Sequence, residues 1–317
     1  MQGQPAKPAP VYKEAPFFKR LAIDFQKHKY KYLLILPIIV YLILFCYKPM
    51  YGLVIAFKNY RPTRGIWGSN WVGFLWFETF FKDPYFWRLL RNTFTISGLT
   101  ILFGFPAPII LALLLNEVRS NKFKRTVQTI TYMPYFISLV VTCSIIKIYC
   151  QENGLFSQII EIFGGTRRNL LIDPSAYRPI YVLSGIWQNI GWNSIIYLAA
   201  LSGIDQEQYE AARIDGANRL QQVIHITLPG LMPTITILFI LRMGNILNVG
   251  YEKILLLYNP STYEVADVLS TYTYRTGLEN QQYSLSTAVG LFNTMVNVVF
   301  LLITNYISKK STESGLF

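Results

Sequence analysis

Six stretches of this chain are apolar for about as long as a helix needs to cross a bilayer, roughly 20 residues. The first centres on Leu33–Tyr47, "LLILPIIVYLILFCY". Phe94–Leu115, Thr126–Ile146, Pro179–Gly203 and Tyr283–Ser308 carry no charge at all, and the fifth, Leu231 to Val249, carries one, Arg242. Such a pattern implies an all-α membrane protein with six transmembrane helices. Composition agrees: 15% of the 317 residues are charged, against about 25% in an average soluble domain, and the mean hydropathy is +0.31.

The formal charge of +12 raises nucleic acid as a partner. The Lys and Arg residues flank apolar runs, however, and form no stripe interleaved with aromatics, which points to membrane lipid and not to nucleic acid. With the N-terminus inside, fifteen Lys and Arg fall in inside segments and ten in outside segments, the asymmetry expected of cytoplasmic loops. This places both termini of a multi-pass membrane chain in the cytoplasm. The organisation is then a cytoplasmic tail (1–30), a six-helix domain (31–308) with an inside loop at 203–230, and a short tail (309–317). Residues 1–16 read as disordered. In the outside loop 48–89, the Trp- and Phe-rich stretch "WVGFLWFETFFKDPYFWRLLRNTF" suits an interfacial helix on the outer surface.

The inside loop is polar and helix-competent. Asp205 can cap a helix with Gln208 at its third position, Gly216 can end it in a left-handed conformation, and Asn218 can cap a second helix leading to Pro229 and Pro233. No phosphate-binding G-x-x-x-x-G-K-[ST] motif occurs. The two histidines, His28 and His225, stand apart from any carboxylate or Cys cluster. Cys46, Cys143 and Cys150 lack metal-ligand spacing. No catalytic or metal site is expected, and the chain is not expected to be an enzyme.

"EAARIDGA", eight residues and then "ITLP" resemble the EAA loop of the permease subunits of bacterial ABC importers, proteins of the bacterial plasma (inner) membrane. The match covers Glu210, Ala211, Ala212, Asp215, Gly216, Ala217, Ile226, Leu228, Pro229 and Pro233. "YMPYFIS" and "KILLLYNPSTYEVADVLSTYTYRTGL" resemble the multiple-sugar branch, the maltose- or oligosaccharide-type permeases, and within it those proposed to import oligosaccharides from degraded polysaccharides. The resemblance implies the type I importer permease fold. It implies a second homologous permease as heterodimer partner, two ATPase subunits that use ATP and Mg, and an extracytoplasmic solute-binding protein. The chain itself binds no cofactor on this reading. The resemblance further implies that a helix near Glu207–Gly216 docks on the ATPase and moves spans three to five.

An oligosaccharide path needs hydrogen-bonding groups beside aromatics. Candidates are Gln188, Asn189, Trp192 and Asn193 in span four, Arg242, Asn245, Asn248 and Tyr251 at span five, and Asn293 and Asn297 in span six. On helices, Arg242, Asn245 and Asn248 would share one face, as would Asn293 and Asn297. The same amides could instead glue helices together. A secondary transporter would need acidic residues inside its spans, and none of the six spans has one. An importer permease for a non-sugar solute remains the alternative.

Overall fold

The computed structural model describes residues 17–312 together with 315 and 316. The tail at 1–16 lies outside the described residues. The chain divides into two compact units, Met1–Val54 and Ile55–Phe317.

In the first unit a helix starts at Phe17 and runs to Tyr41, with non-helical backbone at His28. Helical structure therefore begins well inside the segment expected to be a tail. The apolar stretch continues as one candidate span over Lys27–Phe57.

In the second unit, span two runs over Phe86–Glu117. Pro106 has no N–H to donate to the preceding turn, and the helix absorbs this in a wide turn at Thr100–Gly104. Span three is not the continuous helix its hydropathy suggests. Asn121–Phe136 and Leu139–Ile162 meet at 101°. Pro134 tightens Met133–Phe136 into a 3₁₀ turn, and the Ser138 hydroxyl caps a new helix by accepting from Val141 N–H. Span four is the 28-residue helix Pro174–Leu201, capped where Asp173 accepts the Ser175 N–H at 2.8 Å. Span five, Arg219–Met243, ends near Gly244, short of the expected Val249. Span six, Tyr283–Lys310, continues helically to Thr312.

Among the described residues, four helices are long and apolar enough to cross a membrane, and the bent pair makes a fifth. Pro174–Leu201 matches them in length. Gln188, Asn189 and Asn193 dilute its hydropathy.

The outer aromatic stretch behaves differently from a surface anchor. Its only helix before span two is the short Leu75–Phe81, and Phe86–Arg91 already belongs to the span. Phe77, Phe80 and Phe86 are buried, and Phe80 packs with Leu89, Leu247, Leu269 and Val289. Trp67, Trp71, Phe74 and Trp87 stay exposed. Half the segment is therefore core, since spans two and six leave an apolar groove that these rings fill.

A polar seam ties spans two and four to the segment after span five. Buried Asn92 donates to the Glu264 and Asp267 carbonyls at 2.9 Å and accepts from Arg178 at 2.9 Å. Asp267, 1% exposed, takes two hydrogen bonds from Arg275 at 2.7–2.8 Å and has Arg88 at 3.7 Å. Arg275 is held above the ordinary guanidinium value chiefly by that carboxylate.

Candidate functional site

Where span four passes spans two and five, it leaves a cavity of about 770 Å³. One helix face supplies Tyr181, Gly185, Gln188, Trp192 and, a turn further on, Ile196 to its wall. Asn189 and Asn193 line it as well, with Arg242 from span five and Asn248 and Lys253 from the segment beyond. Thus Gln188, Trp192, Asn193, Arg242 and Asn248 of the expected path meet in one place. Asn245, Tyr251, Asn293 and Asn297 are not on this wall.

The geometry explains the split. Span five ends at Met243, so Arg242, Asn245 and Asn248 do not share a helix face. The chain turns instead, and Asn248 becomes the hub of an amide cluster. Its side-chain oxygen accepts from Asn293 at 3.1 Å and Asn297 at 3.3 Å, and its amide donates to Asn245 at 3.0 Å. Asn293 and Asn297 do share a face of span six, bonded at 3.3 Å. Buried Asn297 also accepts the Leu247 backbone N–H at 3.0 Å. These amides therefore join span six to the turn after span five, and Asn248 in addition lines the cavity. Tyr251 stacks on Tyr274 at 5.3 Å.

Trp192 does not offer both faces. Tyr135, from the break in span three, lies flat on it at 4.5 Å and 4°, and Phe136 meets it edge-on at 5.6 Å. Span four comes close enough for this because Gly191 lies against the Thr131 carbonyl.

Two cavity residues escaped the sequence. Tyr181 lies in the wall, and Lys253 is buried beneath it, donating to the Tyr181 carbonyl at 2.9 Å with its ammonium 4.7 Å from the ring centre. In "YEKILLLY" the lysine reads as one more outer-loop cation. The signal available was its place inside an apolar helical stretch.

The loop between spans four and five forms a second feature. Asp205 caps Gln206–Ile214 by accepting from Glu207 N–H at 3.0 Å; the reciprocal box expected with Gln208 is not made. Gly216, at φ +80°, lets Ala217 N–H reach the Ala212 carbonyl at 2.8 Å and closes the helix. Asn218 then makes a full capping box with Gln221. Ala212, Asp215, Gly216 and Ala217 line a cleft of about 300 Å³ with Gln221 and His225. Glu210, Ala211, Leu228 and Pro229 are exposed. Two polar contacts stand at this end: the loop's Tyr209 bonds Thr227 of span five at 3.0 Å, and Arg219, the first residue of span five, pairs with Glu117 at the end of span two at 3.6 Å.

Apolar helices long enough to cross a membrane, a cavity lined by amides and aromatics between them, and a capped helix in the loop between spans four and five fit a membrane transport subunit. Residues 104–313 match the binding-protein-dependent transport system inner membrane component, and the chain belongs to that family. Protein LplB of Bacillus subtilis (strain 168) is 46% identical over 293 residues, 92% of either chain. The polygalacturonan/rhamnogalacturonan transport system permease protein YteP of the same organism is 44% identical, covering 99% of this chain and 98% of that one. Among solved structures, a bacterial alginate ABC transporter in complex with an alginate pentasaccharide-bound periplasmic protein has a chain that matches with TM-score 0.86 and 43% identity. The match covers 94% of this chain and all of that one.

Proposed function

We propose that the chain is a permease subunit of an ATP-driven importer of oligosaccharides released from polysaccharides. The observation that carries the substrate class is the cavity, where the amides of Gln188, Asn189, Asn193 and Asn248 stand beside Trp192 and Tyr181. Hydroxyl-rich rings ask for that mixture of hydrogen-bonding and flat apolar groups. The names of the relatives support it, since YteP is described as a polygalacturonan/rhamnogalacturonan permease and the solved transporter as an alginate importer.

On this reading both termini are cytoplasmic, a second permease completes the path, and a solute-binding protein delivers cargo from outside. Two ATPase subunits bind ATP and Mg and hold the helix Gln206–Ile214, with Glu210 meeting a cation or backbone donors. Their closure moves that helix as a rigid body. Tyr209 passes the motion to span five at Thr227, and the Arg219–Glu117 pair passes it to the end of span two.

The test is uptake into vesicles holding the permease with its partner permease, ATPase and solute-binding protein. ATP-dependent accumulation of radiolabelled oligosaccharides from a pectin or alginate digest is the expected result. Accumulation of an amino acid or phosphate, with no oligosaccharide transported, overturns it.

A further inference from the structure

In the polar seam Arg275 is bound by Asp267, Arg88 stands beside the same carboxylate, and Arg178 is met by the neutral acceptors Asn92 and Val265. The cavity gathers two further cations and gives neither a carboxylate. Arg242 and Lys253 both line it, and neither makes an ion pair with any described residue. The one acidic residue on the wall, Glu252, lies beyond ion-pair reach of both and takes a hydrogen bond from Tyr251 instead. A cation out of bulk water and without a counter-charge is costly to hold. Neutral sugars, which the amides already serve, give no reason to keep two of them.

Their placement is also built. Lys253 is 8% exposed and lines the cavity, and its ammonium is fixed by one carbonyl and one ring face, so that a single one of its three N–H groups is taken by a protein acceptor. Gly185 of span four lies beside it: a Cβ there would stand 3.4 Å from the ammonium nitrogen, in ordinary contact. Arg242 makes no hydrogen bond with any described residue, so its guanidinium fork is free to take a carboxylate on two parallel bonds.

We propose that this cavity takes an acidic oligosaccharide, a uronate chain, with Arg242 and Lys253 reading its carboxylates while the amides and Trp192 hold the rings. The proposal rests on the oligosaccharide reading above and adds charge as the feature that selects the cargo.

The experiment uses the assembled transporter in nanodiscs without its solute-binding protein, so that binding reports on the permeases. The probes are radiolabelled tetragalacturonate and its carboxyl-reduced counterpart, the neutral galactose tetrasaccharide. The acid is expected to bind more tightly than the neutral chain. Arg242→Gln and Lys253→Gln should each weaken the acid about tenfold, the loss of roughly one charge-assisted hydrogen bond, and weaken the neutral chain severalfold less. Lys253→Arg, which keeps the charge, should retain the preference and shows that assembly is intact. Equal binding of the two chains, or equal loss of both in the variants, overturns the proposal while leaving an oligosaccharide permease standing. Competition by inorganic phosphate as strong as by the acid assigns a general anion hole and also overturns it. Binding of neither chain removes the site from this cavity; the uptake experiment then decides separately whether oligosaccharides are carried at all.

Discussion

The side-chain oxygen of Asn297, in the middle of span six, accepts the backbone N–H of Leu247 at 3.0 Å. Leu247 lies just past the end of span five and is fully buried. An N–H left behind there by a helix that has stopped has no water to turn to, so the asparagine replaces the missing helical partner. Asn297→Ala is expected to cost about 1–3 kcal/mol, the penalty for an orphaned buried donor. Asn293→Ala, which loses contacts only within the amide cluster, should cost less. Thermal unfolding of the purified permease complex in detergent measures both, and equal midpoints would show that the Leu247 bond contributes nothing special.

The crossing of spans three and four predicts a position with no tolerance. A Cβ at Gly191 would overlap the Thr131 carbonyl and the Tyr132 ring. Backbone cannot move aside as a flexible side chain can, so Gly191→Ala should lower the unfolding midpoint and loosen the Tyr135–Trp192 stack. Gly98, also helical but with nothing within 4 Å, is the control. There Ala is expected to be neutral or to stabilise by up to about 1 kcal/mol through helix propensity.

The polar seam between spans two and four separates a buried charge pair from exposed ones. Asp267→Ala strips Arg275 of its carboxylate at a buried site and should cost about 3–5 kcal/mol. Glu264 pairs with Arg88 and Arg91 but is 64% exposed. Glu264→Gln should therefore cost no more than about 1 kcal/mol. Midpoints in low and high salt distinguish them, since screening weakens only the exposed pairs.

How far these sites could be read in advance depended on whether the sequence marks local or distant geometry. The apolar runs gave span positions, because length and charge are local properties. Gly216 and Asn218 were legible for the same reason: each acts on its own backbone within a few residues. The break of span three at Met133–Phe136 was obscured by its even hydropathy, although Pro134 and Ser138 were in view. Lys253 was illegible because its burial is made by span four, about 70 residues earlier in the chain. The helical-face argument failed at Asn245 and Asn248 for a related reason. The helix ends at Gly244, and the resulting turn is held by residues distant in the chain, Asn293 and Asn297 of span six and Ser97 of span two.

The loop between spans four and five offers a prediction that separates holding the ATPase from being moved by it. Glu210 is exposed and lies away from the span contacts, whereas the Tyr209 hydroxyl bonds Thr227 at 3.0 Å, where span five begins its climb. Tyr209→Phe keeps the ring and the outer face of the helix but cuts this link. If the helix is a lever fastened to span five, the variant should still assemble with its ATPase and hydrolyse ATP. Oligosaccharide uptake per ATP should fall severalfold, as expected when one neutral hydrogen bond of about 1 kcal/mol is lost from the coupled path. Glu210→Lys should behave in the opposite way, losing ATPase co-purification first. Gly216→Ala should weaken both, since a side chain at φ +80° costs about 1–2 kcal/mol and displaces the cap that fixes the helix. Uptake and ATPase rate measured on the same vesicles decide the matter: unchanged coupling in Tyr209→Phe would mean that the motion enters the membrane elsewhere, with Arg219–Glu117 the next contact to cut.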